Sequence, residues 1–400
     1  MSRKLQTNRH PFAKGRRAVL VGVCLGRTPL AEIEEHLEEL AALSDTAGAQ
    51  PVARVVQRRP APDPRFFIGG GKAEELAATV RIHEADLVIF DEDLTGSQAR
   101  NLEEVVKVPV MDRSGLILEI FERRARSREA RTQVELARLE YELPRLARKW
   151  THLSRQVGGI GVRGGEGETQ LEADRRLLAR RIAWLKRELA RIDRRRQHER
   201  QGRSEVPTIA LAGYTNAGKT TLFNRLTRSD FLAEDRLFAT IESRVRRAAL
   251  DEVRWPVLVA DTVGFIRKLP HHLVASFRST LQEVAEAACV LHVVDRSHPQ
   301  WQLQRDVGAE TLQSLGVRAE RILEVWNKRD RLPDLLKLPE GVLAISAATG
   351  FGLPQLKTAI ALRLGALGVP IPSPLLRRDA EETSGSAESG TSTPKATPSG

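Results

Sequence analysis

From Ala18 to about Arg113, apolar runs alternate with amphipathic ones: AVLVGVCL, then AEIEEHLEELAAL, VARVVQ, KAEELAATVRIHEA, DLVIFDEDL, SQARNLEEVVK and VPVMD. Short β-branched runs separated by segments of helical period are what a parallel sheet with crossover helices requires. Between about Arg124 and Arg203 the pattern changes to long helix. Leu136, Leu139, Leu143 and Leu146 follow one helical face, and Leu178, Ile182, Leu185, Leu189 and Ile192 follow another, the spacing of two helices paired as an antiparallel coiled coil. Pro144 is expected to kink the first helix or end a turn, because its ring removes a backbone donor. The glycine-rich stretch GGIGVRGGEGE, residues 158–168, predicts an irregular hairpin tip. After a polar break at 201–205 a second α/β pattern follows: PTIALAGY, VRRAAL, RWPVLVADTVG, ACVLHVVD, RILEVWNK and VLAISAATG. From Pro370 onward almost nothing is apolar, so residues from about Asp379 are expected to be disordered. The chain therefore predicts an α/β protein with an N-terminal α/β domain at 1–123, a basic helical hairpin at 124–203, a second domain with a mostly parallel sheet flanked by helices at 204–368, and a tail at 369–400.

The second α/β region carries phosphate chemistry. Gly213-Tyr214-Thr215-Asn216-Ala217-Gly218-Lys219-Thr220-Thr221 joins a good strand, TIALAG, to a good helix, TTLFNRL. A backbone curled around phosphate calls for glycine at both ends, and its N–H groups with the helix N-terminus form an anion site. Lys219 is expected to reach the β and γ phosphates, and the Thr220 hydroxyl to ligate Mg²⁺. Asp261-Thr262-Val263-Gly264 ends the strand RWPVLVA. A carboxylate there can hold Mg²⁺ through water, while the Gly264 amide can approach the γ-phosphate unobstructed. Asn327-Lys328-Arg329-Asp330 follows RILEVW. Asp330 can accept hydrogen bonds from the N1–H and exocyclic amine of guanine, donors that adenine does not present together, so such a site rejects ATP. Ser346-Ala347, after VLAI, offers a backbone amide to the guanine carbonyl. The order of these four motifs predicts a P-loop GTPase domain that turns GTP into GDP and phosphate. Phe238, Ala239, Thr240 and Ile241 lie between phosphate loop and DTVG, where a switch threonine ligates Mg²⁺ and senses the γ-phosphate. The other reading of Thr240 is an ordinary loop threonine. Lys219, Thr240 and Gly264 form the expected catalytic set.

The residue after DTVG is Phe265, where many GTPases carry a glutamine that orients the attacking water; an apolar ring cannot do this. Asn216 resembles the loop asparagine of GTPases that hold K⁺ beside the phosphates, and is equally readable as a structural loop residue. Arg267 and Lys268 are expected to be solvated rather than to approach the phosphates, and His271 and His272 to be exposed bystanders. Gly69-Gly70-Gly71-Lys72 lacks phosphate-loop spacing and predicts a turn opening a helix.

The formal net charge is +11, which calls for a polyanionic partner. Between 175 and 196 the second hairpin helix carries Arg175, Arg176, Arg180, Arg181, Lys186, Arg187, Arg191, Arg194, Arg195 and Arg196. Arginines on a projecting element suit RNA phosphate. Cys24 and Cys289 each sit in an apolar run and read as reduced core residues. No apolar stretch reaches the length of a membrane span, and the first residues are basic rather than signal-like. A cytoplasmic monomer is expected, without DNA and without membrane attachment.

The wording of the motifs resembles the HflX family of translation-associated GTPases: FIGGGKAEEL at 67–76, SQARNLE at 97–103, MDRSGLILEIF at 111–121, TQVELARLEYELPRL at 132–146, GETQLE at 167–172, GYTNAGKTTLFN at 213–224, LFATIE at 237–242 and DTVGFIRKLPHHLVASFRSTLQE at 261–283. The resemblance implies binding of GTP and GDP with Mg²⁺, association with the large ribosomal subunit (50S) and its rRNA, hydrolysis stimulated by ribosomes, and in some members splitting of stalled ribosomes under stress. A GTP-switched scaffold or assembly factor with little turnover is the alternative. The tip departs from the family's RGPGE, reading Arg163-Gly164-Gly165-Glu166-Gly167-Glu168, and Glu242 stands where the family has Asp. Against the extra C-terminal domain of some members, a polar tail is expected here.

Overall fold

A computed structural model describes residues 15–149, 166–201, 206–231, 234, 236–250, 255–268, 278–333, 339 and 342–369. The first sheet is built from β1 (Arg16–Leu25), β2 (Ala49–Arg59), β3 (Leu87–Phe90) and β4 (Val110–Asp112) in the order β2-β1-β3-β4. All three pairings are parallel, as β-branched strands alternating with helices demand. The crossovers are α1 (Leu30–Ala47), α2 (Gly70–Ile82) and α3 (Gly96–Val106), followed by α4 (Arg113–Arg124). Val19, Val21 and Val23 face α2 and α3, whereas Ala18, Leu20 and Cys24 face α1 and α4. The two-residue alternation of β1 therefore supplies both layers of the core. Gly69 caps α2 in extended conformation and makes no phosphate loop.

The two long helices are α5 (Arg128–Lys149) and α6 (Glu166–Gln201). They meet through Leu136, Leu139 and Leu143 against Ile182, Leu185 and Leu189, with ion pairs Glu135–Arg181 and Arg128–Glu188 across the seam. Two helix boundaries are set here. Pro144 lies inside α5, which runs on past it; packing of α5 against α3, α4 and α6 outweighs the one backbone bond a proline removes. The helix α6 takes in 166–168, the last part of the predicted tip. The remainder of the tip and the tail beyond Val369 lie outside the described residues.

The second sheet has β5 (Thr208–Ala212), β6 (Arg244–Leu250), β7 (Trp255–Asp261), β8 (Cys289–Asp295), β9 (Ile322–Asn327) and β10 (Leu343–Ala344) in the order β10-β9-β8-β5-β7-β6. Every pairing is parallel except β6 with β7. It is flanked by α7 (Lys219–Thr227), α8 (Arg278–Glu286), α9 (Trp301–Ser314) and α10 (Leu353–Ala366). Cys24 and Cys289 are both buried thiols. No described helix is long and apolar enough to cross a membrane. The hydrophobic cluster under α1 and α4 does not stop at the first domain: it continues into Tyr214, Phe238, Ile241, Val263 and Ile266 of the second.

Candidate nucleotide-binding site

Gly213 ends β5 with φ 142°, and a Cβ there would lie 2.2 Å from the Val293 carbonyl oxygen. Gly218 opens α7 at φ 89°, where a Cβ would meet the Asn327 amide at 2.3 Å. Only glycine fits either end of the loop. Between them Asn216 adopts φ 62°, a left-handed conformation that asparagine tolerates. The loop curls so that Lys219 Nζ donates to the carbonyls of Gly213 at 3.0 Å and Tyr214 at 2.8 Å. Burial lowers the Lys219 pKa to about 8, partly offset by the charge of Asp261.

Three oxygens converge beside Lys219. Thr220 Oγ1 donates to Asp261 Oδ2 at 2.8 Å, Thr240 Oγ1 reaches the same oxygen at 3.2 Å, and the two hydroxyls lie 2.8 Å apart. Asp261 is fully buried, and its Oδ1 has no hydrogen-bond partner. Burial raises the Asp261 pKa against the opposing pull of Lys219 and the two threonines. A buried carboxylate oxygen without a partner, next to two hydroxyls, is a hard-oxygen donor set that fits Mg²⁺. Thr240 is itself buried, as are Phe238 and Ile241 near it.

A cavity of about 50 Å³ is lined by Thr215, Asn216, Gly218, Lys219, Thr220, Thr221, Phe238, Ala239, Thr240, Thr262 and Gly264. It adjoins a cavity of about 180 Å³ lined by Asn216, Gly218, Thr221, Asn327, Lys328, Asp330 and Ala347. The motifs separated in sequence therefore surround one continuous groove. Glu234 lines both cavities and Arg236 the first; neither was singled out from sequence, because no motif marks them. Asn327, besides lining the second cavity, ties two loops together: its amide donates to the Ala217 carbonyl at 2.8 Å and its Oδ1 accepts from the Ala347 N–H at 3.0 Å. The Ala347 amide expected to face guanine is thus engaged by Asn327. Lys328 pairs with Asp295 at 2.7 Å, while Asp330 is exposed at the rim. Ser346 is buried and its Oγ accepts from the Thr349 N–H.

Thr262 lines the first cavity, whereas Val263 is not among its lining residues. The Thr262 hydroxyl donates to the Leu211 carbonyl at 2.7 Å, and Val263 packs into the shared core with the first domain. Phe265 is buried against Ala210, Leu281 and Val284, while its backbone exchanges bonds with Gly213 and Thr215 at 2.9 and 2.7 Å. The ring anchors the segment after DTVG instead of facing water.

The clearest correction concerns Arg267 and Lys268, which are paired with the first domain rather than free in solvent or at the phosphates: Arg267 is half-buried with its guanidinium 3.5 Å from Glu39, and Lys268, though exposed, is bound at its ammonium. Lys268 Nζ donates to Asp91 at 2.6 Å and Glu92 at 2.7 Å, and lies 3.4 Å from His36 Nδ1. Burial disfavours the Asp91 carboxylate, but His36, Arg113 and Lys268 outweigh it and hold its pKa well below the ordinary range. Arg113, almost wholly buried, bridges Asp91 at 2.8 Å to Glu39. Glu39 in turn accepts from the Tyr214 hydroxyl of the phosphate loop, which itself accepts from the Arg267 N–H at 3.0 Å. This cluster occupies the carboxyl ends of β1 and β3, where the strand order reverses and doubly wound sheets usually leave a ligand crevice. Here side chains of the second domain fill it. His271 and His272 lie outside the described residues.

Residues 208–328 match the family model described as 50S ribosome-binding GTPase. Residues 34–122 match GTP-binding GTPase N-terminal and 124–203 GTP-binding GTPase Middle Region. The chain is 45% identical to the GTPase HflX of Magnetococcus marinus over 356 residues, 87% of this chain and 82% of that protein. It is 45% identical to the GTPase HflX of Escherichia coli over 363 residues, 88% and 84% of the two chains. A solved GTP-binding protein from Sulfolobus solfataricus in complex with GDP is similar at 25% identity, with a TM-score of 0.44, over 88% of this chain and 99% of that one. With nearly half its residues identical across most of both chains, and with a phosphate loop, a buried carboxylate and a base cavity joined in one groove, the protein belongs to the HflX family of GTPases.

Proposed function

We propose that this GTPase binds the large ribosomal subunit through its basic hairpin, that the γ-phosphate of GTP controls that docking, and that its work is the splitting or rescue of stalled ribosomes. The observation that carries the reading is the convergence of Thr220, Thr240 and Asp261 beside Lys219, with Asp261 opening the segment 261–268 whose Arg267 and Lys268 pair with Glu39 and Asp91 of the first domain. Thr220 and Thr240 would ligate Mg²⁺ directly and Asp261 through water, and the ion when bound would neutralise charge on the phosphates. Lys219 would add its ammonium to that neutralisation, and Gly264, lining the same cavity, would offer its backbone amide to the γ-phosphate. The Asp330 carboxylate at the rim of the adjoining cavity reads the base as guanine. Asn216, lining both cavities, is the candidate K⁺ ligand. Phe265 is packed in the core, the Arg267 guanidinium lies 3.5 Å from Glu39 and Lys268 is paired with Asp91, so we assign the orienting of the attacking water to none of the three.

Loss of the γ-phosphate would free Thr240 from one end of this arrangement and the 261–268 segment from the other, which is how switch segments respond to hydrolysis. The testing experiment is sedimentation of the protein with ribosomes and with separated subunits in GTP, GDP and a non-hydrolysable analogue, alongside turnover with and without large subunits. Nucleotide-dependent pelleting with the large subunit and stimulated turnover are expected. Turnover indifferent to subunits would instead favour a GTP-switched scaffold.

A further inference from the structure

One face of α6 is committed to α5 through Ile182, Leu185 and Leu189. The face turned away is unusual. Leu177, Arg180, Trp184, Arg187, Arg191 and Arg195 recur at three- and four-residue spacing, so they form one stripe along the helix, and each is exposed. Leu177 is 61% and Trp184 44% exposed, both among the most exposed large apolar side chains of the described residues. The acid nearest the stripe, Glu188, has a side chain only 12% exposed and is paired with Arg128 and Arg191. Arg181 makes a two-point bond to Glu135 on α5, at 2.7 and 2.9 Å. Its guanidinium also lies 4.4 Å from the centre of the Trp184 ring. That bracing restrains the ring on one side and leaves it open on the other, flanked along the helix by arginines.

We infer that Trp184 is a stacking platform for an unpaired RNA base, with Arg180, Arg187 and Arg191 taking the phosphates on either side. The inference rests on the ribosomal reading above and names the element of RNA that the hairpin would recognise. Stacking on an aromatic side chain requires a base whose face is free, which duplex RNA does not present. A protein partner is the weaker fit, because two apolar side chains seven positions apart within a field of arginines make no contiguous apolar patch. A lipid surface fits less well still, since the continuous apolar face of α6 is already buried against α5.

The test uses the full chain and four probes: a labelled single-stranded RNA oligonucleotide, the same sequence as a duplex, purified large subunits, and the protein alone in sedimentation velocity. Trp184→Ala is expected to weaken single-stranded RNA binding about 5- to 150-fold with an unchanged salt slope. Trp184→Phe retains most of the affinity. Arg180→Ala with Arg187→Ala lowers the salt slope by about 1.4, two single-strand phosphate contacts. The duplex is indifferent to Trp184. Matching thermal melts for all variants keep misfolding apart. The inference is overturned if Trp184→Ala binds the single strand as well as the parent, if it loses the duplex equally, or if the parent self-associates through this face and Trp184→Ala abolishes that. If the parent ignores large subunits in every nucleotide state, the ribosomal reading fails whatever Trp184 does. If subunits bind and Trp184→Ala changes nothing, only the stacking inference fails.

Discussion

Lys219 shows how one buried side chain ties chemistry to pH. Its pKa in the nucleotide-free protein is lowered to about 8 by burial, so above that pH the folded site has lost a proton that the unfolded chain still holds up to its ordinary 10.5. Stability of the nucleotide-free protein therefore rises with pH between those values. Nucleotide phosphates reverse the balance by restoring the ammonium, so GTP affinity is complete below about pH 8 and falls by up to about tenfold per pH unit above it. Calorimetric titration in two buffers of different ionisation enthalpy should show proton uptake on binding at pH 9 and none at pH 6.5. The same scale decides base choice. Asp330→Asn is expected to shift preference from guanine toward xanthine nucleotides, because the amide offers a donor where the carboxylate accepted; competition binding with GTP and XTP checks this. Both motif residues were legible from spacing. The engagement of the Ala347 amide by Asn327 was not, since a side-chain oxygen at the end of β9 and a backbone N–H beyond β10 meet only after those strands pair.

Among elements, the segment 261–268 carries the coupling. It leaves β7 at Asp261, touches the phosphate loop through Phe265, and ends with Lys268 between Asp91 and Glu92 of the first domain. His36, Asp91 and Glu92 place ligand atoms within 4.8 Å of one another, and the cation among them is the protein's own lysine. Lys268→Ala removes that cation from a partly exposed position and is expected to cost about 1 to 2 kcal/mol, less than a fully buried pair would. Urea unfolding should show the loss, and added amide exchange in 91–93 should accompany it. The Asp91 carboxyl is held below its ordinary 3.8. The stabilisation it lends is present above about pH 4 and lost as pH falls further, so Lys268→Ala should narrow the gap between stability at pH 7 and at pH 3. The helices α5 and α6 were legible as elements from their leucine spacing. Passage of α5 through Pro144 was not, because the contacts that hold it come from α3, α4 and α6.

Across the whole molecule the first domain is braced against the phosphate loop and both flanking segments. Tyr214 bonds Glu39, Phe238 meets Phe121 edge-on at 4.7 Å, Arg124 pairs with Glu234 at 2.9 Å, and Glu242 accepts from the N–H groups of 126 and 127. Each contact joins a nucleotide-proximal residue to one more than a hundred positions away. Nucleotide exchange should therefore be visible in the first domain: replacing GDP by a non-hydrolysable GTP analogue is expected to change amide exchange at 36–39 and 91–93, measured by mass spectrometry. Identical exchange in the two states would mean that the contact is a static brace.

Alternation of apolar and polar positions, together with the fixed offsets of glycine, lysine and aspartate within each motif, was enough to specify two mostly parallel sheets, a long helical pair and the motifs of a GTPase, since each depends on neighbours close in the chain. Which charges meet across domains is a different kind of information. Glu39, Asp91, Arg113 and Lys268 belong to no shared motif, and their burial is tolerable only because each finds the others. Their meeting depends on where β1 and β3 end and on how the two cores merge, so it exists only once the chain has folded.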